Sequence, residues 1–250
     1  MSMMTEIFHR TPVQCDSKCD SMSDHDHRLF CLQLPSSFQV VPRKVTHNMP
    51  ISTTINMPDA TVTLYPHFYS SDEATSIYTQ LLNETQWLQQ EIFLFGKRIL
   101  IPRETAWYGD KGACYIYSGI SLEPKPWTLT LMRIKERIES DVQSTFNSVL
   151  LNHYRNEKDS VGWHSDDEPE LGNNPTIASL SLGAARKFQF QHKVDKRRVN
   201  IHLTHGSLLL MGGATQQFWK HCLPKSASAT GSRINLTFRW IIHNNRIARE

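Results

Sequence analysis

Arg233-Ile234-Asn235-Leu236-Thr237-Phe238-Arg239-Trp240 alternates polar and apolar residues without a break. Successive side chains of an extended strand point to opposite faces. Arg233, Asn235, Thr237 and Arg239 therefore share one face, and Ile234, Leu236, Phe238 and Trp240 the other. Such a strand packs its apolar face on a core and turns two guanidiniums, an amide and a hydroxyl toward an anion. Arg suits a carboxylate because its planar fork meets two oxygens at once. Trp240 and Ile241 carry the apolar pattern to residue 242, which reads as a core strand rather than a solvated edge. Upstream stand His164-Ser165-Asp166 and then His221, twelve residues before Arg233. At positions i and i+2, His164 and Asp166 project to one side of an extended segment. With His221 they supply two imidazoles and a carboxylate, the set that suits a non-haem Fe(II) with open coordination positions. Among twelve histidines an HxD pair alone is weak evidence; its neighbourhood with the diarginine strand strengthens it.

Working outward, short apolar runs broken by Gly, Pro and Asn mark strands at 149–155, 177–182, 187–192, 200–203 and 207–211, ahead of 233–242. Another i, i+2 pair, Asn152 and Tyr154, falls on the first of these and could complete the pocket from an adjacent strand. Two helices precede them. Ser70 and Glu73 have capping-box spacing before Ala74, Ile77, Tyr78 and Leu81, and Leu131, Ile134, Ile138 and Val142 form a second apolar face. The order suggests an α+β chain, mainly β, with an antiparallel double sheet backed by a helical flank. Residues 1–58 read as a poorly ordered tail, 59–145 as flank and lid, and 146–243 as the core. Within the tail, Asp24-His25-Asp26-His27 could bind a metal, but nothing rigid would fix those ligands, and an exposed polar segment is the preferred reading.

The bulk numbers bound the rest. A 250-residue chain with 39% hydrophobic residues can bury one core. Its net charge of +3 is compatible with a polyanion partner. Five cysteines at no zinc-like spacing point to a reducing, intracellular setting, cytoplasmic if bacterial and nuclear if eukaryotic. Neither a signal-peptide core nor a membrane-spanning apolar run is present, and the expectation is a monomer that binds no membrane.

These residues, in this order, resemble the AlkB family of Fe(II)/2-oxoglutarate-dependent nucleic-acid dealkylases, over roughly Thr61 to Ile242. The resemblance is densest at Pro102-Arg103, Trp107-Tyr108-Gly109, Tyr115-Ile116-Tyr117-Ser118-Gly119, Pro124-Lys125-Pro126-Trp127, Asn152-His153-Tyr154, His164-Ser165-Asp166-Asp167-Glu168, the stretch 177–184, His205-Gly206-Ser207 and the 233–239 strand. It implies a double-stranded β-helix, or jelly roll, with an N-terminal nucleotide-recognition lid. It places the iron ligands on His164, Asp166 and His221, and the 2-oxoglutarate contacts on Asn152, Tyr154, Arg233, Asn235, Thr237 and Arg239. The implied reaction uses Fe(II), 2-oxoglutarate and O2 to hydroxylate an N-linked methyl of 1-methyladenine or 3-methylcytosine in DNA. The hydroxymethyl adduct then releases formaldehyde, reversing the damage directly. RNA demethylation by the same chemistry is an alternative.

On the substrate side, both methylated bases are cationic, so a carboxylate beside the extruded base favours them. The resemblance puts Asp167 there, with Glu168 as the substitute. An extruded base needs aromatic faces, and Tyr117, Tyr115 and Trp107 are the candidates, with Arg103 beside them. Leu94-Phe95-Gly96 ahead of Lys97-Arg98 reads as a hairpin wedge that fills the gap left in a base stack. The basic run Lys193 to Arg198 should meet phosphate. A jelly roll that had lost catalysis would show damage at a metal or arginine position, and this sequence shows none. A dioxygenase acting on protein or lipid would have no base clamp, wedge or basic loop.

Overall fold

In a computed structural model of the protein, the described residues are 50–242, without 95, 96, 114, 118, 119 and 228–230, and without the side chains of 92–97 and 114–122. Strands β1 (Thr53–Thr54) and β2 (Thr61–Tyr65) precede helix α1 (Ser71–Glu84). Strands β3 (Glu91–Leu94) and β4 (Lys97–Leu100) form a hairpin, β5 (Glu104–Gly109) follows, and β6 (Tyr115–Tyr117) pairs with β7 (Ile120–Leu122). After helix α2 (Leu129–Val142) come β8 (Ser148–Tyr154), β9 (Val161–His164), β10 (Ile177–Gly183), β11 (Arg186–His192), β12 (Arg198–Leu203) and β13 (Ser207–Gly212). A one-turn helix α3 (Thr215–Phe218), β14 (Trp219–Leu223) and β15 (Arg233–Arg239) complete the order.

The strands make two main antiparallel sheets. One runs β1-β2-β13-β10-β15-β8-β5 and the other β12-β11-β14-β9. Strand β15 lies between β10 and β8, in register Leu236↔Leu180 and Leu236↔Leu151. Its alternation decides where everything else sits. Ile234, Leu236 and Phe238 are fully buried against α1 and α2 through Ala74, Leu81, Leu131, Ile134 and Ile138. Each such side chain contributes about 1.5–3 kcal/mol by leaving water. The opposite face looks onto the smaller sheet, where Phe188, Phe190, Ile201, Leu203 and Trp219 meet Ile177, Leu209 and Met211 of the larger one. Two antiparallel sheets packed face to face, with helices outside the larger, form a double-sheet jelly roll.

Local chemistry sets the ends of these elements. The capping box forms as the sequence predicts: Glu73 N donates to Ser70 Oγ at 3.3 Å, and Ser70 N to Glu73 Oε2 at 2.9 Å. Gly183 ends β10 at φ +90°, where an added Cβ would run into Ser232 O, so the chain can close on the start of β15 only without a side chain.

The structure differs from the sequence reading at four places. Strand β15 stops at Arg239, and Trp240, expected on the apolar face, is 48% exposed. Asn147 is the reason: its side chain donates to Ile241 O at 2.8 Å and accepts from Ile241 N at 2.7 Å. That clamp takes the place of strand pairing, so the alternation ends and Ile241 enters a separate cluster with Ala113 and Leu171. Strand β5 adds to the larger sheet where no strand is predicted. Between α1 and α2 the flank is largely hairpins rather than helix. Ahead of residue 59, β1 pairs with β2, and the Trp219 indole donates to Pro58 O at 2.8 Å. The Asp24 to His27 cluster lies outside the described residues.

Candidate metal and cosubstrate site

His164 ends β9 and His221 lies directly opposite it on β14, so one strand pairing sets both imidazoles side by side with ring centroids 4.3 Å apart. The chain leaves β9 at His164 and Asp166 follows two residues on. Its backbone N–H donates to the buried Gln216 Oε1 at 3.0 Å, and Ser165 Oγ donates to Trp219 O at 3.1 Å, which pins the turn. One ligand atom from each of His164, Asp166 and His221 lies within 4.8 Å of the others.

Protonation suits a metal. Burial, helped by neighbouring His164, pushes His221 down to about 3, so its imidazole is neutral, the form that ligates. Burial lowers His164 as well. For Asp166, burial alone would raise the carboxyl. Arg239 beside it and the two imidazoles outweigh that and hold it below the usual carboxylate range. Its Oδ1 accepts from Arg239 Nη2 at 2.7 Å, while buried Oδ2 has no hydrogen-bond partner among the described residues. The Nδ1 of His164 faces Gly162 O at 2.9 Å, which fixes the ring and leaves Nε2 for the cluster. Two neutral imidazoles and an ionised carboxylate with an unpartnered oxygen fit one divalent cation.

The polar face of β15 continues away from this cluster. Thr237 Oγ1 donates to Asn235 Oδ1 at 3.1 Å, and Asn235 Nδ2 donates to Ser179 Oγ at 2.8 Å and Leu180 O at 3.0 Å. At the far end Arg233 is 2% exposed and donates from Nη2 to Ser181 Oγ at 2.8 Å, with its Nε unpartnered. Burial pushes this guanidinium down to about 10, partly opposed by Tyr154, whose ring centroid is 5.3 Å from Arg233 Cζ. It remains a cation at neutral pH, and no carboxylate among the described residues faces it. One cavity takes in both ends. Asn152, Tyr154, Arg233, Asn235, Thr237 and Arg239 line it together with the three metal-site residues, under apolar walls from Leu150, Val161, Phe188, Met211 and Leu223.

The substrate-side residues fall in different places. Arg103 lines the same cavity and donates from Nε to Asn152 Oδ1 at 2.7 Å, which joins it to the 2-oxoglutarate contacts expected there. Trp107 pairs with Leu150, on the cavity-facing side of β5, and packs against the Ala113–Leu171–Ile241 cluster. Asp167 is exposed, and its Oδ2 is 3.0 Å from Lys193 Nζ. Lys193 also donates to Gln216 O at 2.8 Å, and Arg197 is paired with Asp195, so two cations of the basic run have partners within the protein. Glu168 is half-buried at the head of a 3₁₀ turn, Pro169–Leu171. Phe95 and Gly96 lie outside the described residues, as do the side chains of Leu94, Tyr115 and Tyr117. The backbones of β3 and β4 pair antiparallel, with Leu94 opposite Lys97.

Sequence reading missed three contributors. Ser179 and Ser181 face β15 from β10 at i, i+2 spacing, a signal present in Ser179-Leu180-Ser181. Gln216 carries no local signal, because it reaches Asp166 across fifty residues of chain.

Residues 61–239 match the 2OG-Fe(II) oxygenase superfamily. The chain is similar to the alpha-ketoglutarate-dependent dioxygenase alkB homolog 3 of Mus musculus, 43% identical over 218 residues, covering 83% of this chain and 74% of that protein. It is also similar to the DNA oxidative demethylase ALKBH2 of Homo sapiens, 39% identical over 189 residues, covering 71% and 72%. Among solved structures, that of OsALKBH1 overlays with a TM-score of 0.53 at 17% identity, over 74% of this chain and 99% of that one, a likeness of fold.

Proposed function

The chain belongs to the 2OG-Fe(II) oxygenase superfamily and within it to the AlkB family, as a dioxygenase that uses Fe(II), 2-oxoglutarate and O2; from that premise we propose that it demethylates 1-methyladenine and 3-methylcytosine in DNA. The observation that carries the reading is the division of labour along β15. Arg239 is engaged by Asp166 at the metal end, while Arg233 is held buried and cationic at the other. A five-carbon keto-diacid fits between them, one end toward the metal and the distal carboxylate on Arg233.

In this assignment His164, Asp166 and His221 hold the iron, which supplies the oxidising power for the hydroxylation when bound. Arg233 and the Tyr154 hydroxyl orient the distal carboxylate, and Asn152, itself held by Arg103, borders the keto-acid. Asn235 and Thr237 line the channel between the two ends. Leu150, Val161, Phe188, Met211 and Leu223 keep water from the reacting carbon. The methyl gains oxygen, the N–C bond of the resulting hydroxymethyl breaks, and the base nitrogen keeps the electron pair as formaldehyde leaves. One atom of O2 enters the methyl; the other enters 2-oxoglutarate, which loses CO2 and becomes succinate. Asp167 lies next to a metal ligand and favours a cationic methylated base over the neutral one; to act it exchanges Lys193 for the base. Among the described residues no helix is long and apolar enough to cross a membrane.

The test is a matched panel of methylated DNA and RNA oligonucleotides, single- and double-stranded, incubated with iron and 2-oxoglutarate and read by mass. The expected result is a fall of one CH2 in the mass of methylated DNA, the methyl being replaced by hydrogen, with one succinate formed per methyl lost. Succinate production that no methylated oligonucleotide stimulates would refute the nucleic-acid reading.

A further inference from the structure

The four-stranded sheet has a second face. Strands β9 and β14 turn His164 and His221 inward, so Trp163 and Lys220 point out on the reverse side. Strands β11 and β12 add Lys187, Gln189, Arg198, Asn200 and His202 to that side, in register Gln191↔Arg198, Gln189↔Asn200 and Gln191↔Lys220. Lys187, Arg198, Asn200 and His202 are exposed. None of the four strands contains an Asp or Glu. Arg198 starts on the edge strand β12, yet its Cζ reaches within 5.6 Å of the Trp163 ring centroid, and Lys220 Nζ approaches within 5.5 Å. An indole with cations at its face therefore stands on a sheet that has no negative charge. Beside it Gln189 Nε2 donates to Asn200 Oδ1 at 2.8 Å, an amide pair able to donate and accept at solvent.

Long basic stems over a ring also serve to cover a sheet face. Covering does not require that acids be absent. A solvated face with both signs of charge is the ordinary outcome, and this one carries a single sign. Cationic side chains interleaved with an aromatic face match a single nucleic-acid strand, whose phosphates take the charges and whose bases stack on the ring.

We propose that the outer face of this sheet is a second contact surface for single-stranded nucleic acid, with Lys187, Arg198 and Lys220 meeting phosphates and Trp163 stacking on a base. It rests on the reading that the substrate is nucleic acid, and it concerns nucleotides flanking the one that enters the cavity. Phosphates draw Arg198 and Lys220 off the indole and expose its face for stacking.

The experiment measures binding of unmodified, fluorescein-labelled single strands of about five and about 25 nucleotides. The full-length wild-type protein is compared with a Lys187→Gln/Lys220→Gln double variant and with Trp163→Leu, over a range of salt. Wild-type protein should bind the longer strand at least about tenfold more tightly. The double variant should lose most of that length preference, and its salt slope should fall by about 1.4, the value for two fewer phosphate contacts on a single strand. Trp163→Leu should weaken long-strand binding by roughly tenfold with the salt slope unchanged. Because both lysines face outward the double variant keeps its fold, which its melting curve checks. Long-strand affinity and salt slope within twofold of wild type in both variants would overturn the proposal. So would loss of poly-glutamate binding with long-strand binding intact, which would assign the face to an acidic protein. The underlying reading fails separately, if wild-type protein leaves every methylated oligonucleotide unchanged.

Discussion

The two arginines of β15 share a strand, a face and deep burial, yet they meet different partners. Six residue steps of strand separate their Cα atoms, about 20 Å. Arg239 meets Asp166 at 2.7 Å, and the pair neutralises itself inside the protein. Arg233 meets Ser181 and the face of Tyr154, neither of them an anion. A buried cation without a counter-ion is costly unless a ligand supplies the opposite charge. Position along one strand thus sets the same residue against a carboxylate of the protein at one end and leaves it for an incoming one, in the function proposed here, at the other.

The largest effect is expected at the metal end of β15. Asp166→Ala removes the anionic ligand and leaves Arg239 facing two neutral imidazoles. Turnover should fall below detection, at least about a hundredfold, with metal content down in the dialysed protein. Methylated-oligonucleotide turnover near the wild-type rate in iron-replete buffer would remove Asp166 from the site.

A smaller loss should follow Arg239→Met, which leaves the ligands in place without the guanidinium that holds the Asp166 carboxyl ionised. Metal affinity should drop about tenfold to a hundredfold, the usual cost of a lost partner behind a ligand. Since the Asp166 carboxyl then titrates higher, metal binding should weaken further as pH falls. Affinity within twofold of wild type at pH 6 would mean that Arg239 does not support the ligand.

Cys222 should matter least. It neighbours His221 but points to the reverse side of β14, where its Sγ lies 3.8 Å from Gln189 Oε1. Cys222→Ala should leave metal content and turnover within about twofold, as expected of a small buried residue. Burial pushes its thiol up to about 11. Alkylation at this cysteine, followed by peptide mass, should be slow at pH 8 and rise as pH approaches 11, because the thiolate is the attacking form. Rapid labelling at pH 8 would contradict the packing described for β14.

The alternation at 233–239 was legible because a period of two is local, and it located both the core face and the polar face of the central strand. The HxD pair and the capping box at Ser70 were legible for the same reason. The bounds and the pairing of strands β9 and β14 were not. Both strands are short, Gly162 interrupts one, and His221 in the other looks polar until it faces His164. Nor could spacing separate the roles of Arg233 and Arg239, since the pairing of Arg239 with Asp166 closes across 73 residues of chain. The exit of Trp240 to solvent depends on Asn147, ninety-four residues before Ile241, and no window of sequence contains both.

Titration of 2-oxoglutarate into the Mn(II)-loaded protein tests the division between the two arginines most directly. Arg233→Lys keeps the charge but loses the fork, so the dissociation constant should rise about tenfold to a hundredfold, the loss expected for one hydrogen bond between charged groups. Mn(II) affinity, measured alongside, should stay within about twofold. An unchanged 2-oxoglutarate affinity in Arg233→Lys would contradict the account and move the distal carboxylate to another residue.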